Sequence, residues 1–187
     1  MPIHVIAGTA KGRALKLVPG DTTRPIMARV KEALFSILGG ALQDASVLDL
    51  YAGTGSVGIE ALSRGAASAL FVERDGFAVR VIEENLKTTG FSAKGTVRRA
   101  DVRDFLRRPA VQPFEIVYIA PPQYKGLWRE TLTLLDSRPD HIAPDGLVVV
   151  QIDPNEKEAL TLTTLIPYDE RRYGHTLLWF FERPGED

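Results

Sequence analysis

The sequence predicts an α/β fold, a doubly wound and mostly parallel sheet with a β-hairpin and a helix placed before it. Three observations carry that expectation. From residue 46 short apolar strands alternate with helical patterns, an order that builds a parallel sheet. The strand at 47–50 runs straight into a glycine turn and then a helix, as in open α/β sheets that bind ligands at strand ends. The 187 residues are 44% hydrophobic and 25% charged, enough for one well-filled core and an extension.

The elements follow in order. Residues 3–7 and 14–18 are short apolar runs around Gly8-Thr-Ala-Lys-Gly12, which reads as a hairpin with a basic tip. Pro19-Gly20-Asp21 is turn chemistry, and Thr22 to Pro25 leads into a helix. There Val30, Leu34, Ile37 and Leu38 share one face until Gly39-Gly40 ends it. Strands are expected at 47–50, 69–73, 95–99, 116–119 and 147–152, and helices at 57–64, 76–89, 102–107, 127–135 and 155–161. Residues 162–167 and 176–181 flank Arg171-Arg172-Tyr173-Gly174 and read as a closing antiparallel pair, for seven strands in the sheet. The expected organisation is an extension at 1–45 and an α/β domain at 46–187.

Composition excludes several classes of function. There is no cysteine, hence no disulfide, thiolate metal site or cysteine nucleophile. His4, His141 and His175 are scattered, and no metal site is expected. No apolar stretch is long enough to cross a membrane, and residues 1–8 lack signal-peptide character, so a cytoplasmic protein is expected. Net charge is only −1, but it is unevenly placed. Residues 1–31 carry Lys11, Arg13, Lys16, Arg24, Arg29 and Lys31 against Asp21 alone, while the remaining 156 (187 less 31) hold 17 basic and 23 acidic side chains. A basic arm on an acidic body suits phosphates, and these six residues are the expected phosphate contacts.

Two motifs carry chemistry. In Val47-Leu-Asp-Leu-Tyr-Ala-Gly53-Thr-Gly55-Ser-Val-Gly58 the glycines satisfy G-x-G-x-x-G, and Glu73 follows Gly53 by 20 residues (73 − 53), which is also dinucleotide spacing. The alternative is an S-adenosylmethionine loop, which places an acid in the strand four residues before the first glycine. Asp49 stands there. An acid near the loop suits a cationic ligand and would repel a pyrophosphate. Glu73 can accept from ribose hydroxyls in either case, and Asp101, after the third strand, from an adenine amino group. The bland readings are that Gly58 permits close helix packing and that Asp101 is an N-cap. The second motif, Ala120-Pro121-Pro122-Gln123-Tyr124, ends the fourth strand. Two prolines fix the backbone and remove two N–H donors, leaving carbonyl acceptors aimed outward. Acceptors for both hydrogens of an exocyclic amine would localise its lone pair for attack on a methyl group, and an aromatic neighbour can stack on the base.

The chain resembles the bacterial 16S ribosomal RNA guanine-N2 methyltransferase family, whose target is the guanine-966 amino group. The resemblance runs through Val5–Arg13, Thr23-Arg24-Pro25, Val30–Leu38, Leu48–Gly65 and Phe71–Arg74 and ends near Arg172-Tyr173-Gly174. It implies a seven-stranded Rossmann-like methyltransferase fold and S-adenosyl-L-methionine as cofactor. The partner would be 16S rRNA, the 30S subunit or an assembly intermediate, met by a monomer. The cofactor residues would be Asp49, Tyr51, Gly53, Thr54, Gly55, Glu73, Arg74, Asp101 and Val102, with Ala120 to Tyr124 at the reacting base. The family's fourth-strand motif is Asp-Pro-Pro followed by Tyr or Phe. Here Ala120 replaces the carboxylate, Gln123 replaces the aromatic, and Tyr124 follows one residue late. Two other readings stay open. One is a cofactor-holding RNA or ribosome-assembly factor weakened by Ala120. The other is a nicotinamide-dependent oxidoreductase, although no substrate domain or proton donor for it is evident.

Overall fold

A computed structural model of the chain describes residues 2–20 and 26–186. The extension comprises β1 (Ile3–His4), β2 (Ala14–Leu15) and α1 (Ala28–Leu38), followed by a 3-10 turn at Gly39–Leu42. The sheet strands are β3 (Ser46–Leu50), β4 (Ser68–Glu73), β5 (Gly95–Arg99), β6 (Phe114–Ile119), β7 (Ile142–Ile152), β8 (Ile166–Tyr173) and β9 (Thr176–Glu182). Between them lie α2 (Ser56–Ser63), α3 (Gly76–Thr89), α4 (Val102–Arg107) and α5 (Leu127–Ser137).

Seven strands form one sheet in the order β5-β4-β3-β6-β7-β9-β8, with β9 running opposite to the other six. The chain leaves β3 toward one edge through β4 and β5, then returns to β6 on β3's other side. The carboxyl ends of β3 and β6 therefore frame the switch point, where open α/β sheets hold ligands. Strand alternation sends apolar side chains to both faces. Val47, Phe71, Tyr118, Val149 and Phe180 pack beneath α1, α2 and α3 on one face. On the other, Leu48, Leu50, Ile119, Val150 and Phe181 meet α4 and α5.

The extension is built into this core. Val5, Ala10, Leu15, Val30, Leu34 and Phe35 share the first cluster with α2 and the sheet. The hairpin's ladder is short, pairing Ile3 with Leu15 and His4 with Ala14. Beyond it, Ile6 and Ala7 give their N–H groups to Glu60 at 2.9 and 3.0 Å, and Thr9 N donates to Ser63 O. Those bonds hold the tip against α2.

Several expected bounds differ: the hairpin strands expected at 3–7 and 14–18 are two residues each, and the strand expected at 147–152 begins at Ile142. No helix forms at 155–161; a 3-10 turn at Pro154–Glu156 is followed by irregular chain. Asp153 and Glu156 cap that turn reciprocally, and ion pairs from Lys157 to Glu170 and from Glu158 to Arg129 hold the next residues outward. The strand expected at 162–167 begins at Ile166, because Asp136 takes the N–H groups of Thr163, Thr164 and Leu165 at 2.8 Å each before a ladder can. Arg171, Arg172 and Tyr173 consequently lie in β8, and the turn is Gly174-His175.

Candidate active site

Asp49 lies inside the sheet, paired in register with Phe71 on β4 and Tyr118 on β6, and is 1% exposed. Its side chain faces α2, where Oδ2 accepts from Gly58 N at 3.1 Å. Burial pushes its carboxyl up to about 8; the Gly58 bond opposes this and the nearby Glu73 charge adds to it. A carboxyl so placed favours a cationic neighbour and disfavours an anionic one.

The glycine turn follows. Tyr51 sits at φ 60°, Gly53 at 58° and Gly55 at 78°, the last as N-cap of α2. Gly53 N donates to Glu73 Oε2 at 2.9 Å, and Asp75 N donates to Glu73 Oε1 at 2.9 Å. Each Glu73 oxygen keeps a lone pair for a hydroxyl pair arriving at the end of β4. Gly58 has a packing role, since a Cβ there would come within 2.3 Å of the Phe71 ring. Thr54 is buried, and its carbonyl accepts from Asn85 on α3 at 2.9 Å. Glycines for a close backbone approach, an acceptor at the next strand end and an acid beneath fit a cationic adenosyl ligand.

The remaining expected cofactor residues have defined places. Tyr51 turns toward the second cluster, its hydroxyl 2.6 Å from Thr131 Oγ1 on α5. Asp101 is the N-cap of α4, accepting from Arg103 N at 2.9 Å. Arg103's guanidinium binds it further, and the paired charge holds its carboxyl below the ordinary range. Arg74 is exposed, 4.0 Å from Asp101. Val102 is buried at the start of α4.

Register brings the proline turn beside this loop. Leu50 pairs with Ile119, so Tyr51 and Ala120 leave adjacent strands together. Ala120 packs on the first cluster, Pro121 is buried, and Gln123 and Tyr124 are exposed. Tyr124 has a left-handed backbone, φ 59°, a conformation costly for a bulky residue and concentrated at functional sites. Glu156 holds it there, accepting from Tyr124 N at 2.7 Å through Oε1 and from Asp153 N at 3.1 Å through Oε2. A hydrogen bond to the Asp153 carboxylate raises the Tyr124 phenol above its usual value. Tyr118 donates to Gln151 Oε1 on β7 below the turn. Asp153 and Glu156 were not among the expected site residues. Their signal in the sequence is an Asp three residues before a Glu at a strand exit, a capping-box spacing.

The basic arm is smaller than expected. Lys31 is a correction. It is 2% exposed, and its ammonium binds Glu60 at 3.4 Å, Ser56 Oγ at 2.9 Å and the His4 carbonyl at 3.0 Å, which removes it from any phosphate. Burial lowers the Lys31 ammonium, and Glu60 works against that shift. Lys11, Arg13 and Arg29 are exposed, Lys16 pairs with Glu84 at 2.9 Å, and Arg24 lies outside the described residues. Among the described residues, no group of three or more His, Asp or Glu side chains is arranged to hold a metal, and no helix is long and apolar enough to cross a membrane.

Comparison with known proteins supplies a context for this geometry. The family described as "Conserved hypothetical protein 95" matches residues 3–182. The Bacillus subtilis protein YlbH is 34% identical over 185 residues, covering 98% of this chain and all of YlbH. "Ribosomal RNA small subunit methyltransferase D" of Escherichia coli K12 is 35% identical over 149 residues, 80% of this chain and 74% of the relative. The solved structure of Escherichia coli yhhF superposes with a TM-score of 0.88 at 29% identity, covering both chains completely.

Proposed function

The chain belongs to the family described as conserved hypothetical protein 95, and from that premise we propose that it methylates ribosomal RNA of the small subunit, using S-adenosyl-L-methionine. The target we assign is the exocyclic N2 amine of a guanine. The observation that carries this reading is the switch point itself. It sets an acid-lined glycine turn beside a Pro-Pro turn whose exposed aromatic is held in a left-handed conformation. The similarity to the small-subunit methyltransferase of Escherichia coli supports the substrate class.

When bound, S-adenosyl-L-methionine supplies a methyl group already activated on a sulfonium. The protein's part is then orientation and polarisation of the amine. Glu73 would accept from the ribose hydroxyls, and the Gly53–Gly55 backbone would allow close approach. Asp49 would favour the cationic end of the ligand from beneath. At the other turn the Pro121 carbonyl would accept one amine hydrogen and the Gln123 amide oxygen the second, in place of the carboxylate that Ala120 lacks. Tyr124 would stack on the base. The acid beneath the loop at Asp49 also favours a sulfonium ligand over a nicotinamide dinucleotide, whose pyrophosphate would lie at the same glycine turn.

Single-turnover reaction with labelled cofactor and 16S rRNA or 30S subunits, followed by nucleoside mass spectrometry, tests this. N2-methylguanosine is expected, with Ala120→Asp tolerated. If the wild type never methylates while Ala120→Asp does, the protein is a cofactor-holding assembly factor instead.

A further inference from the structure

Arg172-Tyr173-Gly174 is a sequence motif that the cofactor and amine sites leave unused. Register places it at the same end of the sheet as the candidate site. Ile152 pairs with Leu177, and Tyr173 pairs with Thr176 around the Gly174-His175 turn. The end of β7, with Asp153 and the Glu156 that holds Tyr124, is thus beside the hairpin tip. From the other side Arg29 of α1 reaches over the Tyr173 ring, its guanidinium carbon 5.9 Å from the centroid. Two residues further along α1, Lys31 bonds to Ser56, the first residue of α2 beyond the glycine turn, which places the start of α1 at the crevice mouth.

Charge at the tip is sorted. The acids of β8 are matched, Asp169 to Arg171 at 3.1 Å and Glu170 to Lys157. Arg172 and Arg29 are exposed, and among the described residues neither has a carboxylate within 4.0 Å. The Arg172 Nε donates to the Gly174 carbonyl at 3.1 Å, holding the side chain across the turn, and His175 is exposed next to it. Two guanidinium groups, one steadied on the half-buried Tyr173 ring and one on a turn carbonyl, flank the exposed Gly174-His175 turn. Such a pair suits phosphates, beside the stacking position proposed for Tyr124.

We propose that the β8–β9 hairpin tip and Arg29 form a second RNA contact surface, which grips phosphates of the single strand next to the base entering the 120–124 turn. This rests on the proposed rRNA methyltransferase reading. The surface carries no base-edge recognition, so its contribution is uniform in sequence and sensitive to salt.

The test measures binding to 16S rRNA across a salt series for wild type, Arg172→Glu, Arg29→Glu and the control Arg98→Glu on the β5 edge. Arg172→Glu and Arg29→Glu should each weaken binding several-fold and make the log–log salt slope shallower by about 0.7, the value per single-strand phosphate. Arg98→Glu should change neither, and S-adenosyl-L-methionine affinity should match the wild type in all three, showing that each is folded. Unchanged slopes in both tip variants, or an equal loss in Arg98→Glu, overturn the hairpin surface while wild-type methylation leaves the enzyme reading standing. A wild type that neither binds nor methylates rRNA overturns both.

Discussion

At the scale of single residues, Asp49 is the buried acid beneath the candidate crevice. Its carboxyl is raised to about 8 when folded, against about 3.9 in an unfolded chain. Between these values the native state binds the extra proton, so this group's contribution to stability is greatest at low pH and declines as pH rises from about 4 to 8. Without ligand, thermal unfolding between pH 5 and 8 should show a falling contribution of up to about 1.4 kcal/mol per pH unit. Asp49→Asn, which keeps an oxygen for Gly58 N, should abolish it; equal slopes in the two proteins would remove the buried acid from the account. Glu73→Ala deletes an acceptor that serves both Gly53 N and the expected ribose. Loss of a hydrogen bond to a charged group is worth about 1.5–3 kcal/mol, so calorimetry with S-adenosyl-L-methionine should show affinity lower by about 10- to 100-fold. Gln123→Ala should slow single-turnover methylation by about one to two orders of magnitude through lost amine polarisation, with cofactor affinity held. A wild-type rate there would make Gln123 a bystander. The strand-end positions of Asp49, Glu73 and the proline pair were legible in the sequence because each chemical type sits at a spacing tied to a strand end. Lys31 was not. A lysine in a basic stretch reads as solvated, and only the burial of Glu60, 54 residues after Ile6 in the chain, converts it into an internal ion pair.

At the scale of elements, α2 organises the extension. All eight of its residues are buried, and Glu60 gathers Ile6 N, Ala7 N, Lys31 and Arg64. Glu60→Ala would strand the Lys31 ammonium in the core and leave two backbone donors without partners. Breaking such a pair costs about 3–5 kcal/mol, and a large fall in melting temperature should appear in calorimetry. Gly8, at φ 85°, approaches Ser63 so closely that a Cβ would lie 1.8 Å from its carbonyl oxygen. Gly8→Ala should therefore undock the hairpin tip, read as lost hydrogen-exchange protection at Thr9, whose N–H donates to that same oxygen. Residues 155–161 show why local pattern failed elsewhere. Their composition permits a helix, but Glu156, Lys157 and Glu158 each bind a partner remote in sequence, and no local propensity registers those pairs.

At the scale of the whole molecule, charge is arranged against the nearly neutral total. With Lys31 internal and Lys16 paired to Glu84, the exposed cations proposed for RNA are Lys11, Arg13, Arg29 and Arg172. Four contacts predict a wild-type salt slope of about −3 on single-stranded RNA, and a flat titration would remove phosphate recognition from the mechanism. Reversing Lys11 and Arg13 to Glu should weaken RNA binding and leave cofactor affinity alone. The sequence by itself determined the α/β alternation, the glycine turn with its strand acid and the proline exit, because each is a local pattern of period, spacing and backbone restriction. Only the tertiary structure decided which cations face solvent, where β8 begins, and that the Arg172-Tyr173 hairpin stands at the mouth of the site. Those outcomes depend on contacts between residues dozens of positions apart, whose free energies exist only once the sheet has brought them together.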